Sequence, residues 1–131
     1  LHNEMAYLPD PPDRVYLHCQ QPAAKGGQTP VADGRRVLAA LDPDFAARLR
    51  ERGVRHIRNL TPEPGRISPP TGWRKAFACQ TPAQAEAAAR SAGFDVAWFD
   101  DVLQIAALTK FTITHPDTQS LVASNGDATI C

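Results

Sequence analysis

The sequence lacks a surplus of charge of either sign and lacks a long apolar run. Lysine and arginine number 14, as do aspartate and glutamate, so the formal net charge is zero. Without a basic surplus there is no electrostatic attraction for nucleic acid or for an anionic membrane surface, and neither partner is expected. No stretch approaches the roughly 18 apolar residues of a membrane helix, and no basic segment followed by an apolar run opens the chain. The sequence therefore indicates neither export nor insertion.

Cysteine is also scarce, with three residues at Cys19, Cys79 and Cys131. Their odd number, their wide separation and the absence of a Cys-x-x-Cys pair argue against a structural zinc site or a redox centre. Free thiols of this kind suit a reducing compartment, so we expect a cytoplasmic protein.

The residues that are present predict one folded unit. A chain of 131 residues, of which 43% are hydrophobic, is long and apolar enough for a single domain with a core. The chain begins at Leu1 without an initiator methionine, with a possible metal ligand already at position 2. We interpret residues 1–131 as a partial domain, a piece of something longer.

The opening segment, Leu1–Tyr7, carries the most specific chemistry. If it is a strand, side chains alternate between its faces, and His2 and Glu4 point the same way. An imidazole and a carboxylate, completed by a second imidazole, form the facial triad that holds iron(II) in non-haem oxygenases. His-x-Glu alone is a weak signal, because the same spacing is common on ordinary exposed strands.

Further strands are predicted where apolar and polar residues alternate or β-branched residues cluster. The arginines on alternate positions of Val54–Leu60 place that strand near a sheet edge or a cavity. The predicted strands are Arg14–Gln20, Val54–Leu60, Asp95–Phe99, Val102–Leu108, Lys110–His115 and Leu121–Ser124, with a short extended segment at Thr29–Asp33.

Three helices are predicted from their periodicity and end signals. A short helix starts at Gly34; a second has Asp42 as N-cap and Pro43 at its first position, and ends at Gly53. A third has Thr81 as N-cap and Pro82 at its start, and runs to Ser91. The proline-rich loop Thr61–Gly72 is long enough to serve as a lid, and Trp73 and Phe77 beyond it are expected in the core.

These segments together resemble the taurine-dioxygenase (TauD/TfdA-like) superfamily of Fe(II)/2-oxoglutarate-dependent oxygenases. Within it the chain is most similar to the branch that hydroxylates amino acids in antibiotic and nonribosomal-peptide pathways, together with clavaminate synthase. The segments that carry the resemblance are Leu1–Tyr7, Cys19–Ala23, Gly26–Asp33 and Gly53–Asn59, and those that point to the branch are Trp73–Thr81 and His115–Thr118.

The resemblance implies a function, a fold and site residues. His2 and Glu4 match the first two iron ligands, and Thr29 matches the threonine whose hydroxyl helps to hold a 2-oxoglutarate carboxylate. The implied fold is α+β, a double-stranded β-helix (jelly roll) with flanking helices, here incomplete. The implied reaction hydroxylates a small amino-acid-like substrate, free or carrier-tethered, while 2-oxoglutarate is decarboxylated to succinate.

The sequence also departs from the family pattern. The second histidine ligand and the arginine that pairs with 2-oxoglutarate are absent, and the residues after His115–Thr118 no longer follow the family, so residues 119–131 are expected to match it poorly. His18 is interpreted as a surface histidine and His56 as a structural one. His115 could be a third ligand only in a rearranged fold.

Two classes of function therefore stay open, an oxygenase segment and a catalytically inactive remnant or binding module. A zinc hydrolase site built on His2, Glu4 and another histidine is a weaker third possibility. In an incomplete barrel the uncovered sheet edges favour limited stability or self-association.

Overall fold

The computed structural model describes residues 3–64, 71–115 and 117–124, which form a mixture of helices and strands. Two compact units are present, residues 1–54 with 110–131 and residues 55–109. In chain order the elements are α1 (Gly34–Ala40), α2 (Pro43–Arg52), β1 (Val54–Leu60), α3 (Trp73–Ala76), α4 (Pro82–Ser91), β2 (Asp95–Phe99), β3 (Val102–Thr109), β4 (Thr112–Thr114) and β5 (Leu121–Ala123).

The unit formed by residues 55–109 is built on a three-stranded sheet of order β1-β3-β2. Strands β2 and β3 pair antiparallel, with Phe99 opposite Val102, and the turn between them places Asp100 at a φ of 53°. Aspartate tolerates this left-handed conformation better than most residues, which explains why the Asp100-Asp101 pair reads as a turn. The predicted edge position of β1 is confirmed.

The core of this unit lies where the sheet meets α4 and the segment at α3. Trp73, Leu103 and Leu60 are its largest fully buried side chains. The Trp73 ring meets the Trp98 ring edge to face, with centroids 5.8 Å apart, and its Nε1 donates to the Asp101 carbonyl at 3.1 Å. A buried indole thus has both an aromatic partner and an acceptor for its only donor.

Helix α4 packs on β2 through two fully buried alanines, Ala85 and Ala89. Its start is a capping box: Gln84 N–H donates to the Thr81 hydroxyl, and the Gln84 side-chain oxygen accepts from the Thr81 N–H. This reciprocal pair satisfies donors that a helix start leaves without partners. The predicted helix from Pro82 to Ser91 is confirmed.

One ion pair and one hydrogen bond between amide side chains lie on the more exposed face of the sheet. Arg55 on β1 reaches Asp95 on β2 at 3.4 Å, and Ala106, opposite Asp95 on the strand between them, is only 4% exposed. Gln104 on β3 donates to the side chain of Asn59 on the neighbouring strand β1 at 2.9 Å. Ile57 and Phe99 nevertheless remain more than half exposed.

His56 is the buried histidine of this sheet, which confirms its structural interpretation. It is 8% exposed, and its Nε2 lies 3.1 Å from the Thr109 hydroxyl. Loss of hydration lowers the pKa of His56 below its ordinary value of 6.5, because burial disfavours the imidazolium. His56 is therefore neutral in the folded protein near pH 7.

The protein is expected to lose stability as the pH falls below about 6.5, where the unfolded chain protonates His56 and the folded chain resists it. Above that pH both states hold a neutral ring, and His56 contributes no pH dependence. Urea midpoints at about pH 5.5 and pH 7.5 measure the effect. His56→Gln should lose less stability than the parent between the two pH values. His18→Gln, which changes an exposed residue, should lose as much as the parent. Identical pH dependence in His56→Gln and the parent would contradict this assignment.

The two ends of the loop Thr61–Gly72 are held together by a hydrogen bond and an ion pair. The Trp73 N–H donates to the Thr61 carbonyl at 2.8 Å, and Arg74 pairs with Glu63 at 2.9 Å. Gly72 fits there because it has no side chain: a Cβ would lie 2.5 Å from the Pro62 carbonyl oxygen. Residues 65–70, which make up half of the predicted lid, lie outside the described residues.

Gly72→Ala is expected to lower the free energy of unfolding by about 1–3 kcal/mol, because the new methyl group meets backbone atoms that must shift. Urea or thermal unfolding of the variant measures this. Thr71→Ala, which removes atoms next door and inserts none, is the matched control. A Gly72→Ala variant within about 0.5 kcal/mol of the parent would show that the loop base yields freely.

The unit formed by residues 1–54 and 110–131 contains α1, α2 and the two-stranded sheet. Both helices start at an aspartate cap: the Asp33 side chain accepts from Arg35 N–H and the Asp42 side chain from Phe45 N–H, each at 2.9 Å. The predictions of Asp42, Pro43 and Gly53 as end signals are confirmed. Strands β4 and β5 pair antiparallel with Ile113 opposite Val122, a shorter pair than the predicted Lys110–His115 and Leu121–Ser124.

Two predicted strands are wrong in the described residues. Residues 4–7 form a turn instead of continuing Leu1–Tyr7: Ala6 N–H donates to the Asn3 carbonyl at 3.2 Å, and Met5 has a φ of 59°. The local hydrogen bond that the Asn3 carbonyl accepts replaces strand pairing there, and asparagine is a residue that favours turns.

The second wrong strand is Arg14–Gln20, where the alternating pattern is present but all residues are exposed, Tyr16 by 86% and Leu17 by 75%. A strand needs a neighbour for its backbone groups, and no described residues pair with this segment. Thr29–Asp33 likewise carries no assigned strand.

The jelly roll stays a prediction for this chain. The described residues show a three-stranded sheet and a two-stranded sheet with four helices, a mixed helix and sheet composition that agrees with the α+β class. Within the described ranges, none of the helices is long and apolar enough to cross a membrane.

Candidate functional site

Glu4 lies in the opening turn and its side chain is exposed. Because Glu4 lies in a turn, the alternation of side chains along a strand does not align Glu4 with His2. His2 itself lies outside the described residues. The assignment of both residues as metal ligands therefore stays a prediction from the sequence.

The glycine pair before Thr29 adopts a backbone conformation that favours glycine. Gly26 and Gly27 have φ values of 74° and 78°, in the left-handed region that side chains rarely enter. At Gly27 a Cβ would also come within 2.9 Å of the Ala23 Cβ. Thr29 follows at an exposed position outside any helix or strand, so its hydroxyl is accessible to a ligand.

The donor types of this region fit iron(II), although the described residues do not assemble a complete site. An exposed carboxylate and a neutral imidazole are ligands that ferrous iron accepts, and a threonine hydroxyl suits an anionic co-substrate. Among the described residues, no group of three or more histidine, cysteine, aspartate or glutamate side chains could hold a metal. Glu4 as an iron ligand therefore stays a prediction from the sequence, and the described residues identify no further donors.

The described residues place neither His18 nor His115 in a group of three or more metal-ligating side chains. His18 is exposed, as predicted. His115 begins a turn. Its ring Nδ1 accepts from the backbone N–H groups of Asp117 and Thr118, each at 3.3 Å, and its backbone N–H donates to the Ser120 carbonyl. This confirms the turn predicted from His115 and gives no support to His115 as a third iron ligand.

One charged pair near Thr29 escaped the sequence analysis. Arg35 donates from Nε and Nη2 to the two oxygens of Asp33 at 2.7–3.1 Å, and these bonds lower the pKa of Asp33 to about 2. The sequence signal was an aspartate directly before a helix with arginine two residues later, which is a helix cap and an ion pair together. Asp33 is therefore ionised and already bound, which argues against it as a metal ligand.

Comparison with known proteins places this chain in a family. The family described as "Taurine catabolism dioxygenase TauD, TfdA family" matches residues 1–122, a span that includes His2, Glu4 and Thr29. The match ends before residues 123–131, in the part where the sequence departs from the family pattern.

Two curated proteins are similar over most of the chain. Dapdiamide synthesis protein DdaC of Enterobacter agglomerans is 31% identical over 116 residues, which cover 88% of this chain and 34% of DdaC. A clavaminate synthase-like protein of Arabidopsis thaliana is 29% identical over 104 residues, covering 76% of this chain and 32% of that protein. The chain thus spans about a third of the length of these relatives.

Proposed function

Because the chain belongs to the TauD/TfdA family of non-haem iron and 2-oxoglutarate oxygenases, we propose that it contributes the first part of an active site that hydroxylates a small amino-acid-like substrate. The observation that carries this proposal is the family match across residues 1–122, which takes in both the His-x-Glu pair and the glycine pair followed by Thr29. The two relatives named above support the amino-acid hydroxylase and clavaminate synthase-like branch.

Each site residue has a role that its chemistry allows. His2 and Glu4 would hold ferrous iron through an imidazole nitrogen and a carboxylate oxygen, and Glu4 is an exposed residue. The Thr29 hydroxyl would donate to a carboxylate of 2-oxoglutarate, and Gly26 and Gly27 let the backbone before it turn sharply. Bound iron and 2-oxoglutarate supply the oxidising chemistry, with decarboxylation of 2-oxoglutarate to succinate.

The proposed substrate class rests on the resemblance to the amino-acid hydroxylase and clavaminate synthase-like branch, which the two relatives support. One relative is a synthesis protein for dapdiamide and the other is clavaminate synthase-like. We propose an amino-acid-like small molecule, free or tethered to a carrier, in a secondary metabolite pathway of the cytoplasm.

The role of Thr29 separates binding of the co-substrate from general folding. In a protein that contains this chain and turns over, Thr29→Ala should raise the KM for 2-oxoglutarate about tenfold, the effect of one lost hydrogen bond to a charged group. Thr29→Ser should keep the parent's KM, because it keeps the hydroxyl. Succinate release measures both. Equal KM values in Thr29→Ala and the parent would contradict the assignment.

The second candidate function is a catalytically inactive family remnant or binding module. The sequence contains neither the second histidine nor the arginine that the family pattern requires, and the described residues assemble no cluster that could hold a metal. A catalytically inactive binding module would fit both facts. It predicts binding of a small molecule without succinate release at any iron concentration.

Self-association is the third proposal, because β1 and β2 are the two edges of the three-stranded sheet within the described residues. Unpaired edges present donors and acceptors that a second chain can use. Size-exclusion chromatography at increasing concentration should show a shift to larger species. A constant monomer that also melts cooperatively at high temperature would contradict this proposal.

A further inference from the structure

A cleft of about 340 Å³ lies between α1 and α2, and Glu4 is not among the residues that line it. Its apolar walls come from both helices and the link between them, and an arginine stands on each helix. The residues that matter for its chemistry are Arg35, Leu38, Leu41, Pro43, Ala46 and Arg50. A volume of this size lies within the range of small-molecule sites in proteins.

The apolar walls are only partly covered by the protein itself. Helix α1 contains no buried residue, and Leu38 and Leu41 are half-buried along the cleft. Ala46, at 4% exposure, is the buried residue of α2 and leaves room beside it because its side chain is small. The free energy gained by covering such a surface grows with the apolar area removed from water.

The two arginines differ in the partners that they have. Both oxygens of Asp33 accept from Arg35, which neutralises that side of the cleft. Arg50 donates from Nε to the Ala46 carbonyl at 3.3 Å, which holds its guanidinium beside the cleft. Among the described residues no carboxylate pairs with Arg50, so its terminal nitrogens keep unused donors in the fork geometry that binds carboxylates.

We propose that this cleft binds a small amphipathic carboxylate, with the acyl chain between α1 and α2 and the carboxylate on Arg50. The apolar walls select the chain and the single uncompensated guanidinium selects the charge. The proposal does not depend on iron or on 2-oxoglutarate, because none of the lining residues belongs to the predicted metal or co-substrate site.

Octanoate is the test ligand and octanol is its uncharged counterpart, with binding followed by amide chemical shifts in two-dimensional NMR. Octanoate should shift the amides of Leu38, Leu41 and Ala46 and bind at least about tenfold more tightly than octanol, the effect of one charged hydrogen-bonding pair. Arg50→Gln should remove this preference.

Arg48→Gln is the matched control, since Arg48 lies on the same helix, stacks on the Phe45 ring at 5.9 Å and does not line the cleft. It should bind octanoate like the parent. The amide spectrum of each variant without ligand reports whether it is folded. Equal affinity for octanoate and octanol, shifts outside the cleft, or equal weakening by both substitutions would overturn the proposal.

Discussion

Replacing Trp73 by alanine is expected to lower the free energy of unfolding by about 3–5 kcal/mol, the range for removing a large aromatic side chain from a core. Trp73 is 2% exposed, meets Trp98 edge to face and donates to the Asp101 carbonyl. The substitution opens a cavity and leaves that carbonyl without its donor. Because native domains are stable by only about 5–15 kcal/mol, the variant should be largely unfolded or close to it. Urea unfolding followed by far-ultraviolet circular dichroism measures the loss.

Trp73→Phe is the informative companion, because it keeps an aromatic ring and removes the indole N–H. It should lose less than Trp73→Ala. Tyr16→Ala, at a site 86% exposed, should stay within about 0.5 kcal/mol of the parent. If Trp73→Ala unfolds at the parent's urea concentration, Trp73 does not lie in the core that the structure describes.

Replacing Glu4 by alanine is expected to weaken iron(II) binding by at least about 100-fold, because even residues that only support a ligand change metal affinity by about 10–100-fold. Alanine removes the carboxylate oxygen and offers nothing in its place. Isothermal titration with iron(II) under anaerobic conditions measures the affinity. Glu4 is exposed, so its loss should leave the fold intact.

Glu51→Ala is the matched control, an exposed glutamate on α2 that no proposed site uses. It should bind iron(II) as the parent does. Glu4→Asp, which retains a carboxylate on a shorter side chain, should recover part of the affinity. If Glu4→Ala and Glu51→Ala have the same affinity, Glu4 is not an iron ligand, whatever the chain's family.

Local signals in the sequence predicted much of the secondary structure. Asp42 and Thr81 carry cap oxygens, Pro43 and Pro82 fit the first helical position, and Gly53 ends a helix at a φ of 73°. Each of these signals acts within a few residues, so the sequence alone is enough to predict it. The hairpin around Asp100 was predictable for the same reason.

The errors fall where pairing partners decide the structure. Arg14–Gln20 has the alternation of a strand, yet a strand forms only when another segment satisfies its backbone. Around Glu4, the N–H groups of Ala6 and Leu8 donate to the carbonyls of Asn3 and Met5, which gives a turn in place of the extended chain. Alternation reports which side chains could share a face, but it does not report whether a neighbouring strand exists.

The candidate site was predictable as residue types and not as geometry. Gly26 and Gly27 have the left-handed backbone that glycine adopts readily. The family match covers His2, Glu4 and Thr29. The assembly of ligands depends on contacts between segments distant in sequence, which the spacing of two residues does not contain. The pairing of Asp33 with Arg35 was a local signal, and a search for helix caps would have found it.

Anaerobic titration of this chain with iron(II) and 2-oxoglutarate tests the central claim most directly, with visible absorption as the readout. A chelate of 2-oxoglutarate on protein-bound iron(II) absorbs by metal-to-ligand charge transfer, and neither component does so alone. The proposed function predicts that this absorption appears, saturates with 2-oxoglutarate and is lost in Glu4→Ala while Glu51→Ala retains it. A chain that binds no iron(II), or one whose absorption is the same in Glu4→Ala, would contradict the claim that His2 and Glu4 form the first part of an oxygenase site.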